Sequence, residues 1–184
     1  MTEADELANL RETVRGLKDR QDILDCIQRE CRARDRQDVN QIESCWWPDG
    51  IDEHGPVITA APDYAARANK GHGMMFHMTS HNITNHLCEI IGDTAHCESY
   101  VIGGLCWLKE VKTSIAFGRY LDRLEKRNGE WRMLVRKCTI EMTADADPSW
   151  VHSKAIQGFL KARWDGQDPS YDRPFEATTD GLRW

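Results

Sequence analysis

A chain of 184 residues with 40% hydrophobic and 29% charged side chains has the length and balance of one globular domain with a full core. Its formal net charge of −6 argues against nucleic acid or an anionic membrane as the main partner. No window approaches the ~20 apolar residues of a membrane span, and the charged start MTEADELANLRETVRGLKDRQ is unlike a secretion signal.

Residues 3–18 predict a helix, because Leu7, Leu10, Val14 and Leu17 recur at steps of three and four. Asp19-Arg20-Gln21 reads as a break before a second helix, which carries Ile23, Leu24, Ile27 and Cys31 on one face and runs to about Arg34. A third short helix spans Val39 to Trp46 and ends at the turn signal Pro48-Asp49-Gly50. Ile51–His54 predicts a short strand, and Pro62–Ala68 a helix that Gly71 and Gly73 break.

From Met78 the period changes to two. Strands are predicted at Thr79–Ile91, Thr94–Leu108, Thr113–Lys126 and Trp131–Thr143. The turns Ile91-Gly92-Asp93, Lys109–Lys112 and Arg127-Asn128-Gly129-Glu130 are short enough to require antiparallel neighbours. Helices first and a meander after make the class α+β. The segment 145–184 differs: it holds three of the seven tryptophans, offers a helix at Ser149–Trp164, and is irregular beyond. It reads as an extension covering a pocket mouth or a neighbouring subunit. The seven cysteines form no C-x-x-C pair, which suggests core-filling thiols in a reducing compartment, the cytoplasm.

Three residues invite chemistry. The stripe Ile27, Cys31 continues to Asp35, which either lies on the buried face or sits past the helix end, solvated or capping the next helix. On the first strand of the meander, Thr79, His81, Ile83, Asn85 and Leu87 share the more apolar face, so His81 points inward. A lone inward histidine is commonly a satisfied core residue; paired with a carboxylate in an apolar cavity, it is a general base. Arg136 shares a face with Leu134, Cys138 and Ile140, where it either stabilises a developing anion or snorkels to solvent. His72, His77, His81 and His86 suggest a metal, but parity puts His81 and His86 on opposite faces, and no carboxylate or cysteine stands at matching spacing. No metal is expected. Without a G-x-G-x-x-G or P-loop, neither is a nucleotide cofactor.

The segments ILDCIQRECRARDRQDVNQIESCWWPDG, MMFHMTSHNITN and GRYLDRLEKRNGEWRM resemble the SnoaL-like branch of the nuclear transport factor 2-like superfamily. The pattern is similar to that of its hexachlorocyclohexane dehydrochlorinases and scytalone dehydratases. The resemblance implies a cone over residues 1–144: a barrel of curved antiparallel sheet, with N-terminal helices closing a pocket. It implies Asp35 and His81 as a catalytic dyad and Arg136 as the pocket arginine, with Tyr120, Trp46, Thr79, His77 and Val101 facing the substrate. Glu30 stands where the dehydrochlorinases carry a lysine, and Thr79 where they carry a cysteine, which argues against chloride as the leaving group. The expected activity is cofactor-independent elimination of water or a small fragment from an apolar aromatic or polycyclic substrate. An isomerase or cyclase, or a non-catalytic binding or assembly domain, are the alternatives. Relatives imply a homo-oligomer, a trimer ahead of a dimer.

Overall fold

Thr2 starts the first helix through a reciprocal cap. Its Oγ1 accepts from the Asp5 N–H at 3.3 Å, and the Asp5 carboxylate accepts from the Thr2 N–H at 2.8 Å. In the computed structural model, which describes residues 1–184, this helix is α1 (Glu3–Asp35), one uninterrupted element where two were expected. Asp19-Arg20-Gln21 contains no helix breaker, and its charges serve contacts instead. Asp19 accepts from Lys126 Nζ (2.7 Å) and Trp131 Nε1 (2.9 Å), and Arg20 donates to the Cys88 carbonyl (2.7 Å). These polar residues mark where the helix meets the sheet.

Asp38 caps α2 (Val39–Ser44), which stops short of the expected Trp46 because that residue begins β1 (Trp46–His54). Pro48-Asp49-Gly50 is a bulge within β1 and not a turn: the register against β6 shifts between Trp46 and Ile51. Strand β2 (Val57–Ala60) was not expected, although Val57-Ile58-Thr59 is a β-branched run after Gly55-Pro56, and it pairs back onto β1. Helix α3 (Ala61–Met75), with Pro62 in its first turn, runs through Gly71 and Gly73, which cost it propensity without ending it.

The meander follows as β3 (Phe76–Ile91), β4 (Thr94–Trp107), β5 (Thr113–Arg127) and β6 (Glu130–Ala146). The six strands lie in the order β2-β1-β6-β5-β4-β3. All pairs are antiparallel except β1 with β6, so the curved sheet is mixed, not wholly antiparallel. At the β5–β6 bulge, a Cβ on Gly118 would lie 1.9 Å from the Thr139 carbonyl oxygen, so only glycine permits that approach.

One bulge changes how β3 is read. The register against β4 slips between Ile83 and His86. Thr79, His81 and Ile83 turn inward as expected, but beyond the slip His86, Cys88 and Ile90 take the inner positions. Leu87, predicted inward, is 66% exposed. A single extra residue reverses every later side chain.

Helix α1 lies across the sheet and buries Ile23, Cys26 and Ile27 against Ile42, Trp46, Leu124, Trp131 and Met133. A smaller cluster of Cys31, Val101 and Tyr120 sits beside it and borders the interior cavity. All seven cysteines are free thiols, and no helix is long and apolar enough to cross a membrane.

The helix expected at Ser149–Trp164 does not form. A 3-10 turn at Pro148–His152 is followed by turns and by an isolated bridge between Leu160 and Arg183. Trp150, Phe159 and Leu160 are exposed, so an amphipathic helix there would have nothing to bury against. The extension is anchored farther on. Arg32 donates to Ser170 Oγ (2.9 Å), Tyr171 Oη donates to Asp38 (3.1 Å), and Arg36 Nε lies 3.3 Å from the Asp168 carboxylate.

Candidate active site

The last turn of α1 and the start of β3 meet at the Asp35 carboxylate. One oxygen lies 2.6 Å from His81 Nδ1 and accepts from Thr79 Oγ1 at 2.9 Å; the other accepts from the His81 backbone N–H at 2.7 Å. Asp35 is thus on the buried face, neither solvated nor capping α2. Burial pushes its pKa up, but the His81 ring, the His81 N–H and Thr79 together outweigh this and hold it below the usual carboxylate range. At His81, burial and the nearby Arg34 charge push the pKa down further than Asp35 pulls it up. The pair is therefore aspartate with neutral imidazole. Asp35 takes the Nδ1 proton as its hydrogen-bond donor, which leaves a lone pair on Nε2, a nitrogen with no hydrogen-bond partner in the protein.

His81 borders a chamber of about 110 Å³ lined by Phe76, Val101, Leu105 and Tyr120, with Arg34, His54 and His72 among its polar residues. An outer vestibule of about 400 Å³, bounded mainly by α3, shares Arg34, His54 and His72 with it. His72 stacks on His81 with ring centroids 5.8 Å apart and planes 11° apart. Burial, then the charge of Arg34, push its pKa down to about 3, so this second imidazole is also neutral.

The expected site residues separate into distinct places. Val101 and Tyr120 face the chamber, and Thr79 supports Asp35 from one side. Trp46 does not line the chamber; it packs in the core with its ring 5.2 Å from that of Tyr64. His77 is exposed, although simple alternation would place it with Thr79 and His81: the register against β4 also slips between Phe76 and Met78, and His77 falls at that irregularity. Arg136 does not reach the chamber either. Asp122 holds its Nε and Nη2 at 2.7 and 2.8 Å, Glu30 holds Nη1 at 2.5 Å, and its guanidinium lies 4.0 Å beneath the Tyr120 ring.

Arg34 lines the chamber instead, and sequence reasoning missed it. Its Nη1 donates to Tyr120 Oη at 3.3 Å. Helical spacing held a signal for it, since Arg34 follows Ile23, Ile27 and Glu30 on the buried face of α1. The β3 bulge also overturns the argument from opposite faces. His86, Cys88 and Cys97 bring ligand-type atoms within 4.8 Å of one another, beneath α1 and apart from His81.

A curved sheet closed by N-terminal helices over an interior pocket is the cone of the nuclear transport factor 2-like class. Within it, the SnoaL-like domain matches residues 15–137, and the chain belongs to that family. Among solved structures, a putative scytalone dehydratase from Novosphingobium aromaticivorans is 22% identical, with 73% of this chain and 91% of that chain covered at a TM-score of 0.67. LinA is 22% identical over 73% of this chain and 93% of its own, with a TM-score of 0.69. A LinA-type3 hexachlorocyclohexane dehydrochlorinase from Novosphingobium barchaimii is 18% identical over 73% and 94%, with a TM-score of 0.68. At these identities the likeness is one of fold. No curated protein sequence matches the chain.

Proposed function

We propose that the chain is a cofactor-independent lyase of the dehydratase type, with His81 as its base. The observation that carries this reading is the 2.6 Å contact between Asp35 and His81 Nδ1 beside a chamber that His81 lines. In the proposed step, Nε2 takes a proton from a substrate carbon activated by a neighbouring carbonyl or aromatic system. The C–H electron pair becomes a double bond as the bond to a leaving oxygen on the next carbon breaks. The imidazolium so formed is the acid nearest that oxygen and returns the proton to it, releasing water. Asp35 stays ionised, orients the ring and stabilises the transient positive charge.

Tyr120, whose pKa burial pushes up, serves in this reading as a hydrogen-bond donor and not as a proton source. The polarising role expected of Arg136 passes to Arg34, and Arg136 positions Tyr120 from behind. Segment 145–184 contributes no lining residue to the chamber or vestibule. We assign it a bracing role, since it grips Arg32, Arg36 and Asp38 on either side of Arg34 and Asp35.

The two related solved structures described as a scytalone dehydratase and a dehydrochlorinase are consistent with elimination on this scaffold. The test is a panel of aromatic and polycyclic β-hydroxy carbonyl compounds, followed by mass spectrometry in deuterated water. Loss of water is the expected result. Unchanged mass with deuterium uptake and double-bond migration would make the protein an isomerase. Binding with neither outcome would make it a non-catalytic carrier.

A further inference from the structure

Elimination alone does not account for Arg34. The residue is 3% exposed, yet no carboxylate lies within salt-bridge distance of it. Its one side-chain hydrogen bond is the 3.3 Å contact to Tyr120, and its Nε is buried without a partner. Arg136, equally buried, is held by two carboxylates. Glu30, the carboxylate one turn before Arg34, is occupied by Arg136 and by the Tyr64 hydroxyl at 3.1 Å. Asp52, the carboxylate of the vestibule, faces His54 at 3.8 Å. A buried, unpaired guanidinium costs several kcal/mol unless a partner arrives.

The unused edge of Arg34 is Nε with Nη2, the side-on fork that matches a carboxylate with two parallel hydrogen bonds. We propose that Arg34 binds a carboxylate carried by the substrate, so that the ligand is an apolar acid seated across the chamber and vestibule. This narrows the apolar aromatic class and rests on the chamber being the substrate site, not on the elimination step.

The probes are 3-phenylpropanoate and its uncharged amide, titrated calorimetrically into the full chain. The carboxylate should bind at least tenfold more tightly than the amide, both in the wild type and in His81→Ala. Arg34→Met should abolish that preference, and Arg34→Lys, which keeps the charge and loses the fork, should retain part of it. No preference in the wild type, or one that survives in folded Arg34→Met, overturns the inference. Because His81→Ala binds without turning over, a failure of the lyase reading leaves this result readable on its own.

A second observation concerns α1. From Glu3 to Lys18 every residue is exposed, and a helix of that length is marginal when isolated. Leu7, Leu10, Val14 and Leu17 keep the 3-4-3 spacing of heptad positions a and d. At about 100° per residue, this stripe lies roughly 170° around the helix from the face that Ile23, Cys26, Ile27 and Glu30 bury. The chain's own domain therefore cannot cover it.

Glu6 at position g and Arg11 at the following e are placed to pair between two parallel copies, and Val14 at a with leucine at d favours two strands. We infer that two copies of this chain join through a parallel coiled coil of their N-terminal helices. Light scattering on the full chain should give a dimer, and Leu10→Glu/Leu17→Glu a monomer with an unchanged near-ultraviolet spectrum. Glu6→Arg should weaken the dimer, and adding Arg11→Glu should restore it. A wild-type monomer, a trimer, or a dimer indifferent to these changes overturns the inference.

Discussion

His81→Ala will lower kcat/KM for the eliminated substrate by roughly two to four orders of magnitude, the usual contribution of a positioned general base. Asp35→Asn should cost a comparable factor for a different reason. The amide can donate to Nδ1, which then keeps its lone pair and leaves the proton on Nε2, the wrong tautomer for a base. Imidazole nitrogen chemical shifts would report that change directly while the circular dichroism stays native. Near-wild-type turnover in either folded variant would sink the dyad. The pH profile follows from the lowered pKa of His81. A base with a lowered pKa stays neutral, and active, below the pH at which free imidazole becomes half protonated. Activity should therefore be level through neutrality and fall only in more acidic solution, on a one-proton slope. A limb centred above neutrality would mean that another group is the base.

The second large effect is on stability. Arg136, Glu30 and Asp122 have fully buried side chains and form one network, with distances of 2.5 to 2.8 Å. Burial works against the charge on Glu30, but the guanidinium charges of Arg136 and Arg34 prevail and hold its pKa below the ordinary value. Arg136→Met leaves two buried carboxylates without their cation and should destabilise the fold by about 3–5 kcal/mol. For a chain of this size that is roughly a 10 °C fall in Tm or more. Glu30→Gln should cost less, because the amide oxygen can still accept from Arg136 while its NH2 donates to the Tyr64 hydroxyl oxygen. Thermal melts distinguish this from a direct catalytic role. If Arg136→Met keeps its Tm and loses turnover, Arg136 acts on the substrate and the positioning role given to it here is wrong.

Much of the scaffold was legible in the sequence because its signals are local. The stripe Ile23, Ile27, Cys31 marked the buried face of α1, and the alternation after Met78 marked the meander. Asn128 and Gly129 adopt positive φ values of 54° and 83°, as their hairpin signal requires. The errors fell where a local signal had two meanings. Asp19-Arg20-Gln21 reads as a break, and its charges are contacts to the sheet. Gly71 and Gly73 read as an end, and α3 continues through them.

The site divides along the same line. The sequence by itself placed His81 inward, upstream of the bulge between Ile83 and His86 that reverses the residues beyond it. For Asp35 periodicity left two readings, and the likeness to a family favoured the buried one. Only the tertiary structure decided the rest. Whether an inward arginine meets substrate depends on which carboxylates meet it first, and those lie far along the chain. Arg136 finds Asp122 on the neighbouring strand and Glu30 on the first helix, and is consumed. Arg34 finds neither, so it is the arginine left facing the chamber.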